Sequence, residues 1–149
     1  MIQLELTGAP TAWAAPRFYK NRAYDVKKDA KNAARWQIRS QYRDDPIFGP
    51  VFLDITFFMK IPKATSGIRK KEMLAHKILP VGKPDTTNLQ KLIEDCLKGI
   101  VIGDDTQCTD IYSRKRYNEN PGILIRIFNL NAYPTPRVFE DKLYADMHG

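Results

Sequence analysis

The chain has 149 residues, with 24 Lys and Arg against 17 Asp and Glu, a net charge of +7 and a pI of about 9.4. That length suits one domain with its own core, and 43% hydrophobic and 28% charged residues exclude a disordered or fibrous chain. No apolar run approaches the ~20 residues of a membrane span; there is no secretory pattern at the N-terminus, and two cysteines make neither a disulfide framework nor a zinc quartet, so the expected setting is a reducing cytoplasm.

Ile2 to Thr7 alternates apolar and polar residues and predicts a half-buried strand, ended by Gly8 and Pro10. Pro16 to Tyr24 is basic and aromatic, a second strand or an extended loop. Lys27 to Tyr42 predicts a helix with Asp25 as its N-cap. Val51 to Ile61 is rich in β-branched and aromatic residues and predicts a strand ended by Pro62. Ser66 to Ile78 reads as a basic helix capped by Ser66. After Pro84 comes the best-patterned helix, with Leu89, Leu92, Ile93, Cys96 and Leu97 in one core-facing stripe and Gly99 at its C-terminal end. The apolar run Ile100 to Ile102 leads into a Gly103-Asp104-Asp105 turn. Asp110 to Tyr117 and Ile123 to Leu130 predict two strands joined by a hairpin loop at Asn118 to Gly122. The order fits a single mixed α/β (α+β) domain over residues 1–131, a small mixed β-sheet flanked by helices, followed by an arm at 132–149 with a short helix at 138–144.

The charge is segregated. Nine basic residues lie between Arg17 and Arg43, opposed only by Asp25 and Asp29, and six more lie between Lys60 and Lys77, opposed by Glu72. Between Asp85 and Asp110 six acids face Lys91 and Lys98. Clustered carboxylates repel one another unless a cation shares the site, and a divalent metal commonly does. The bland alternative is a set of solvated faces.

Two segments carry the chemistry. In Lys83 to Lys91, Thr86, Thr87 or Asn88 is a candidate cap, with Asp85 beside the positive end of the helix. Asn88, Lys91 and Asp95 share a face distinct from the apolar stripe, which also suits an ordinary Lys91–Asp95 ion pair. In Gly103 to Gln107, Asp104 and Asp105 form either a solvated turn or metal ligands at the rim of a sheet. Carboxylate-held metal with a nearby lysine is what phosphodiester hydrolysis requires.

The stretch from Lys83 to Gln107, KPDTTNLQKLIEDCLKGIVIGDDTQ, resembles the signature of the RusA family of Holliday-junction resolvases. That pattern is Asp-x-Asp-Asn-Leu-x-Lys, an aspartate further along the same helix, and Asp-Asp-x-Gln. Asp85, Asn88, Lys91, Asp95, Asp104, Asp105 and Gln107 match it, and Gly8, Pro10, Pro16, Arg17 and Tyr24 are compatible with the family's opening. The resemblance spans roughly residues 2 to 130 and is specific over about 25 of them. It implies a RusA-like fold and a homodimeric, Mg²⁺-dependent endonuclease of bacteria and their phages, with Mn²⁺ able to substitute, that cuts four-way or branched DNA with paired nicks. The matching catalytic positions are Asp85 and Asp105, assisted by Lys91; Asp85, Asp105 and Asp104 are the expected metal ligands, with Thr87, Asn88 and Asp95 auxiliary. One position departs: the family's second aspartate is Thr87. Either Asp104, Asp95 or Glu94 replaces it, or Thr87 holds a water, or activity is reduced or lost, leaving a branched-DNA-binding protein.

The residues expected on DNA are Arg17, Lys20, Arg22, Lys27, Lys28, Lys31, Arg69, Lys70 and Lys71. Trp13, Phe18, Tyr19 and Tyr24 interleave with the first of these, a pattern that suits base stacking and equally a sheet with snorkelling cations. His76 and His148 are only two and far apart in the chain, which disfavours a His-based site; Cys96 lies on the apolar stripe as a core residue, and Cys108, beside Asp105 and Asp110, lacks the positive surroundings of a reactive thiol. There is no Gly-rich nucleotide loop and no membrane partner is expected.

Overall fold

The computed structural model of the chain describes residues 1–133. In chain order the elements are β1 (Ile2–Thr7), β2 (Arg17–Tyr19), β3 (Arg22–Tyr24), α1 (Lys28–Gln41), β4 (Val51–Lys60), α2 (Gly67–Leu74), α3 (Thr86–Leu97), β5 (Cys108–Asn118) and β6 (Gly122–Asn129). Short 3-10 turns occupy Asp105–Gln107 and Leu130–Ala132. The expected arm beyond residue 133, with the short helix at 138–144, lies outside the described residues.

Four strands form one mixed sheet in the order β1-β6-β4-β5. β4 runs parallel to β5 and antiparallel to β6, and β1 closes the other edge antiparallel to β6. The two-residue period of a strand sorts the faces. Val51, Leu53, Ile55 and Phe57 of β4 are fully buried on one face, continuous with Leu4 and Leu6 of β1 and Ile123, Ile125 and Ile127 of β6. The helices α1 and α3 lie on that face, α1 through Ile38 and α3 through the predicted stripe from Leu89 to Leu97. Each large apolar side chain so removed from water contributes about 1.5–3 kcal/mol. On the far face Asp54 is buried and bonded to Arg114 at 2.6 Å.

The helix α3 ends as expected, with Gly99 at φ +80°. Three local expectations change. β5 and β6 are not a hairpin: β4 lies between them, and residues 119–121 cross its end. Strands lie about 4.8 Å apart, so this three-residue link can span one intervening strand. Helix α2 stops at Leu74, short of Ile78, with His76 at φ 60°. Lys27, not Asp25, is the N-cap of α1; Asp25 stands outside and accepts the Lys27 N–H at 2.8 Å.

Candidate functional site

The first acid of the site is held by the start of α3. Asp85 is the N-cap: its Oδ2 accepts the Asn88 N–H at 3.3 Å and its Oδ1 accepts the Asn88 side-chain amide at 2.9 Å. The cap therefore falls to Asp85 rather than to Thr86, Thr87 or Asn88, because a carboxylate there satisfies free helix N–H groups and meets the positive helix end. Asn88 aims Asp85. The turn before it is tied to β5 by Lys115, whose Nζ donates to the carbonyls of Gly82 at 2.8 Å and Pro84 at 3.0 Å.

Two flanks of α3 leave the buried stripe. Thr87, Gln90 and Glu94 follow i, i+3, i+7 spacing. Gln90 accepts from the Ser113 hydroxyl of β5 at 2.8 Å, and Glu94 accepts from Gln90 at 3.5 Å. On the other flank the Trp13 N–H donates to the Asn88 carbonyl at 2.9 Å, and Lys91 Nζ stands 3.5 Å from the centre of the Trp13 ring. Asp95 is paired with Lys31 at 3.5 Å and faces α1, and the alternative reading of an ordinary Lys91–Asp95 ion pair is not realised.

The second acidic segment is clamped by Gln107. Its Oε1 accepts from the N–H groups of Gly103 at 2.7 Å and Asp104 at 3.0 Å. Its Nε2 donates to the carbonyls of Ile47 at 2.8 Å and Gly49 at 2.9 Å. The glutamine of the motif is thus the fastener that fixes the acidic turn against the entry to β4. Asp104 caps the 3-10 turn, accepting from the Thr106 hydroxyl at 2.6 Å, and pairs with Lys98 at 2.8 Å. Its next-door neighbour Asp105 is exposed and its carboxylate carries no hydrogen bond or ion pair among the described residues.

The charge balance follows from these contacts. The hydrogen bond from Lys98, with that of Thr106, holds Asp104 well below the usual carboxylate range. Glu94 is pushed up, first by burial, then by the charges of Asp105 and Asp95, against the opposing effects of Gln90 and Lys91. Burial and the charges of Glu94, Asp105 and Asp104 push the Cys108 thiol up to about 12, so it stays protonated at neutral pH.

Among the described residues no three of His, Cys, Asp or Glu group closely enough to hold a metal ion. The expected trio Asp85, Asp104 and Asp105 does not assemble, because Asp104 is turned to Lys98 and to its own cap. Asp85 and Asp105 are exposed carboxylates, and the charge of Asp105 is felt by both Glu94 and Lys98. That donor set fits Mg²⁺, which takes one or two carboxylates and fills its remaining positions with waters and phosphate oxygens.

The cations expected on DNA divide into two groups. Lys31 is committed to Asp25 at 2.8 Å and to Asp95, and Lys70 pairs with Glu119 at 3.2 Å. Arg17, Lys20, Arg22, Lys28, Arg69 and Lys71 are exposed, and Lys27 is half-buried. Sequence reasoning gave no role to Lys115, and it left Trp13 off the flank of Lys91; nothing in their spacing marks either contact.

Residues 7–128 match the family described as Endodeoxyribonuclease RusA. The chain is also 32% identical over 139 residues to the "Uncharacterized protein YqaN" of Bacillus subtilis (strain 168), an alignment covering 88% of this chain and 98% of that one.

Proposed function

The chain belongs to the endodeoxyribonuclease RusA family, and on that premise we propose that it is a structure-selective endonuclease of the bacterial or phage-infected cytoplasm that resolves Holliday junctions by paired phosphodiester hydrolysis. The observation that carries this reading is the pair Asp85 and Asp105: each exposed, each positioned by a motif amide, Asn88 in one case and Gln107 in the other.

In each cut a water oxygen bonds to phosphorus, one P–O ester bond breaks, and the leaving sugar oxygen takes up a proton. Asp85 and Asp105 would hold Mg²⁺, or Mn²⁺ in its place. The bound ion supplies water activation and charge stabilisation at the phosphoryl oxygens. Asn88 keeps Asp85 oriented through its two bonds. Lys91, braced on the Trp13 ring, offers its ammonium to the charge that develops on the phosphoryl group. Asp104 supports the turn through its cap, and Asp95 anchors α3 to α1 through Lys31. The exposed cations at Arg17, Lys20, Arg22, Lys28, Arg69 and Lys71 would meet the phosphates of the duplex arms.

Thr87 favours a second reading: with a hydroxyl in place of the family's second acid, the protein binds branched DNA and cuts it slowly or not at all. One assay separates the two. Wild type, Asp85→Asn, Asp105→Asn and Thr87→Asp are incubated with a synthetic four-way junction in Mg²⁺ or Mn²⁺. The nuclease reading expects paired nicks from wild type and a loss of at least about 100-fold in each Asp→Asn variant. Junction binding without nicks in wild type, with activity gained in Thr87→Asp, gives the second reading. Equal cutting by wild type and Asp85→Asn removes Asp85 from the site.

A further inference from the structure

The segment between Trp13 and Asp25 stands apart from the main fold. Strands β2 and β3 pair only with each other, in a two-stranded sheet of their own. Lys20 and Asn21 at the tip both have left-handed backbone, φ 48° and 61°, as a tight type I′ hairpin turn needs. All six strand residues are exposed. The register sets Phe18 opposite Ala23, so the ring has no cross-strand side chain of any size beneath it and is 75% exposed. On the other face Arg17 pairs with Tyr24 and Tyr19 with Arg22, with Tyr19 68% exposed.

The two feet of the hairpin are fixed on one flank of α3. The incoming foot is Trp13, bonded to Asn88 and stacked on Lys91. The outgoing foot is Asp25, bonded to Lys31, which bridges to Asp95 of α3. The finger therefore rises beside Lys91 and the Asp85 cap. Between Trp13 and Tyr24 the chain has three cations, Arg17, Lys20 and Arg22, and no acid, so the finger is cationic throughout.

Cations interleaved with unsupported aromatic rings fit a polyanion that also offers flat apolar faces. Nucleic acid is that polyanion, since its phosphates take the cations and its bases take the rings. An intact duplex hides its base faces in the stack, whereas a branch point exposes them. Resting on the reading that branched DNA is the substrate, we propose that the β2–β3 hairpin recognises the branch. Phe18 stacks on a base exposed at the crossover, while Arg17, Lys20 and Arg22 hold the neighbouring phosphates. The hairpin thus supplies preference for branched over linear DNA, and the acids of α3 and the 105–107 turn supply the cut.

The test uses the full chain in EDTA, so that binding is read without cleavage. The probes are a four-way junction with 2-aminopurine at the crossover and a linear duplex of the same length. Phe18→Ala should weaken junction binding about tenfold, within the range for loss of one stacked base. It should change duplex binding less than twofold and abolish the 2-aminopurine response, and Phe18→Trp should restore both preference and response. An unchanged preference in Phe18→Ala overturns the proposal. So does an equal loss on junction and duplex, as a general contact gives, and so does a wild type without junction preference. Nicking in Mg²⁺ on the same preparations separates this from the nuclease reading. If wild type prefers junctions, Phe18→Ala does not, and neither nicks, the hairpin assignment stands and the nuclease reading falls. If both nick and both prefer junctions equally, the reverse holds.

Discussion

At the scale of single residues, charge identifies a cation but not its partner. Lys31 lies in the most basic stretch of the chain, yet its ammonium joins Asp25 to Asp95 and so ties the foot of the hairpin and α1 to α3. The hydrogen bond from Lys31, then that from the Lys27 N–H, holds Asp25 below its ordinary 3.8. For Lys31 burial alone would lower the value, but the bond to Asp25 and the charges of Asp25 and Asp95 carry it above its ordinary 10.5. A depressed acid contributes stability above its unfolded value and loses it as pH falls through the folded one; a raised lysine contributes below its unfolded value and loses it as pH rises through the folded one. Lys31→Met should therefore lower Tm by about 3 °C near neutral pH, and the difference from wild type should narrow as pH falls through the titration of Asp25 and as it rises through that of Lys31. Arg69→Gln and Lys71→Gln should leave Tm unchanged and instead reduce the salt slope of DNA binding by about 1 each. Thermal melts across pH, with binding titrations across salt, check both; a Lys31→Met protein with wild-type Tm would put that lysine back on the DNA. The family was legible in the sequence because the motif from Asp85 to Gln107 is long and specific in its spacing. That Asp104 pairs with Lys98 and caps its own turn while Asp105 does neither was not legible, since two adjacent acids differ only in which way the turn points them.

At the scale of elements, periodicity located helices and strands but not strand order. Nothing local distinguishes a hairpin between β5 and β6 from a short link that passes the end of β4, because the choice depends on which strand fills the space between. Nor did the sequence show how the edge of β1 is closed. Gln41 exchanges two bonds with the Glu5 backbone, at 2.9 and 2.8 Å, and Gln37 two with that of Thr7, at 2.9 and 3.3 Å. Two glutamines four apart on α1 thereby stand in for a neighbouring strand, and an edge so occupied offers less to a second chain. Replacing both by alanine removes these four bonds to the β1 backbone, but water reaches these groups and recovers part of the loss. The double variant Gln37→Ala/Gln41→Ala should cost about 1–2 kcal/mol in urea unfolding with an unchanged m-value. A cost near zero would show that water serves the edge equally well.

At the scale of the whole molecule, the proposed site gives each chain one acidic centre, made of the cap of α3 and the turn before β5. Two symmetric cuts in one junction need two such centres, and a two-fold homodimer supplies them with the same surface used twice. The separation of charge seen along the sequence suits that arrangement, since cations flank the acids in the chain and each protomer can hold its own duplex arms. Sedimentation should accordingly find a species of twice the 17.2 kDa chain. Mixed dimers carry the sharper prediction. Wild type co-expressed with an excess of Asp85→Asn should yield heterodimers with one intact centre, purified through distinct affinity tags. On a cruciform plasmid, where one nick relaxes the circle and two opposed nicks linearise it, wild type should give linear product and the heterodimer nicked circles. If the heterodimer linearises the plasmid as wild type does, the two centres are not fixed to one cut each. If it cuts neither strand, the intact centre depends on its neighbour, and the acids of one chain alone do not make the site.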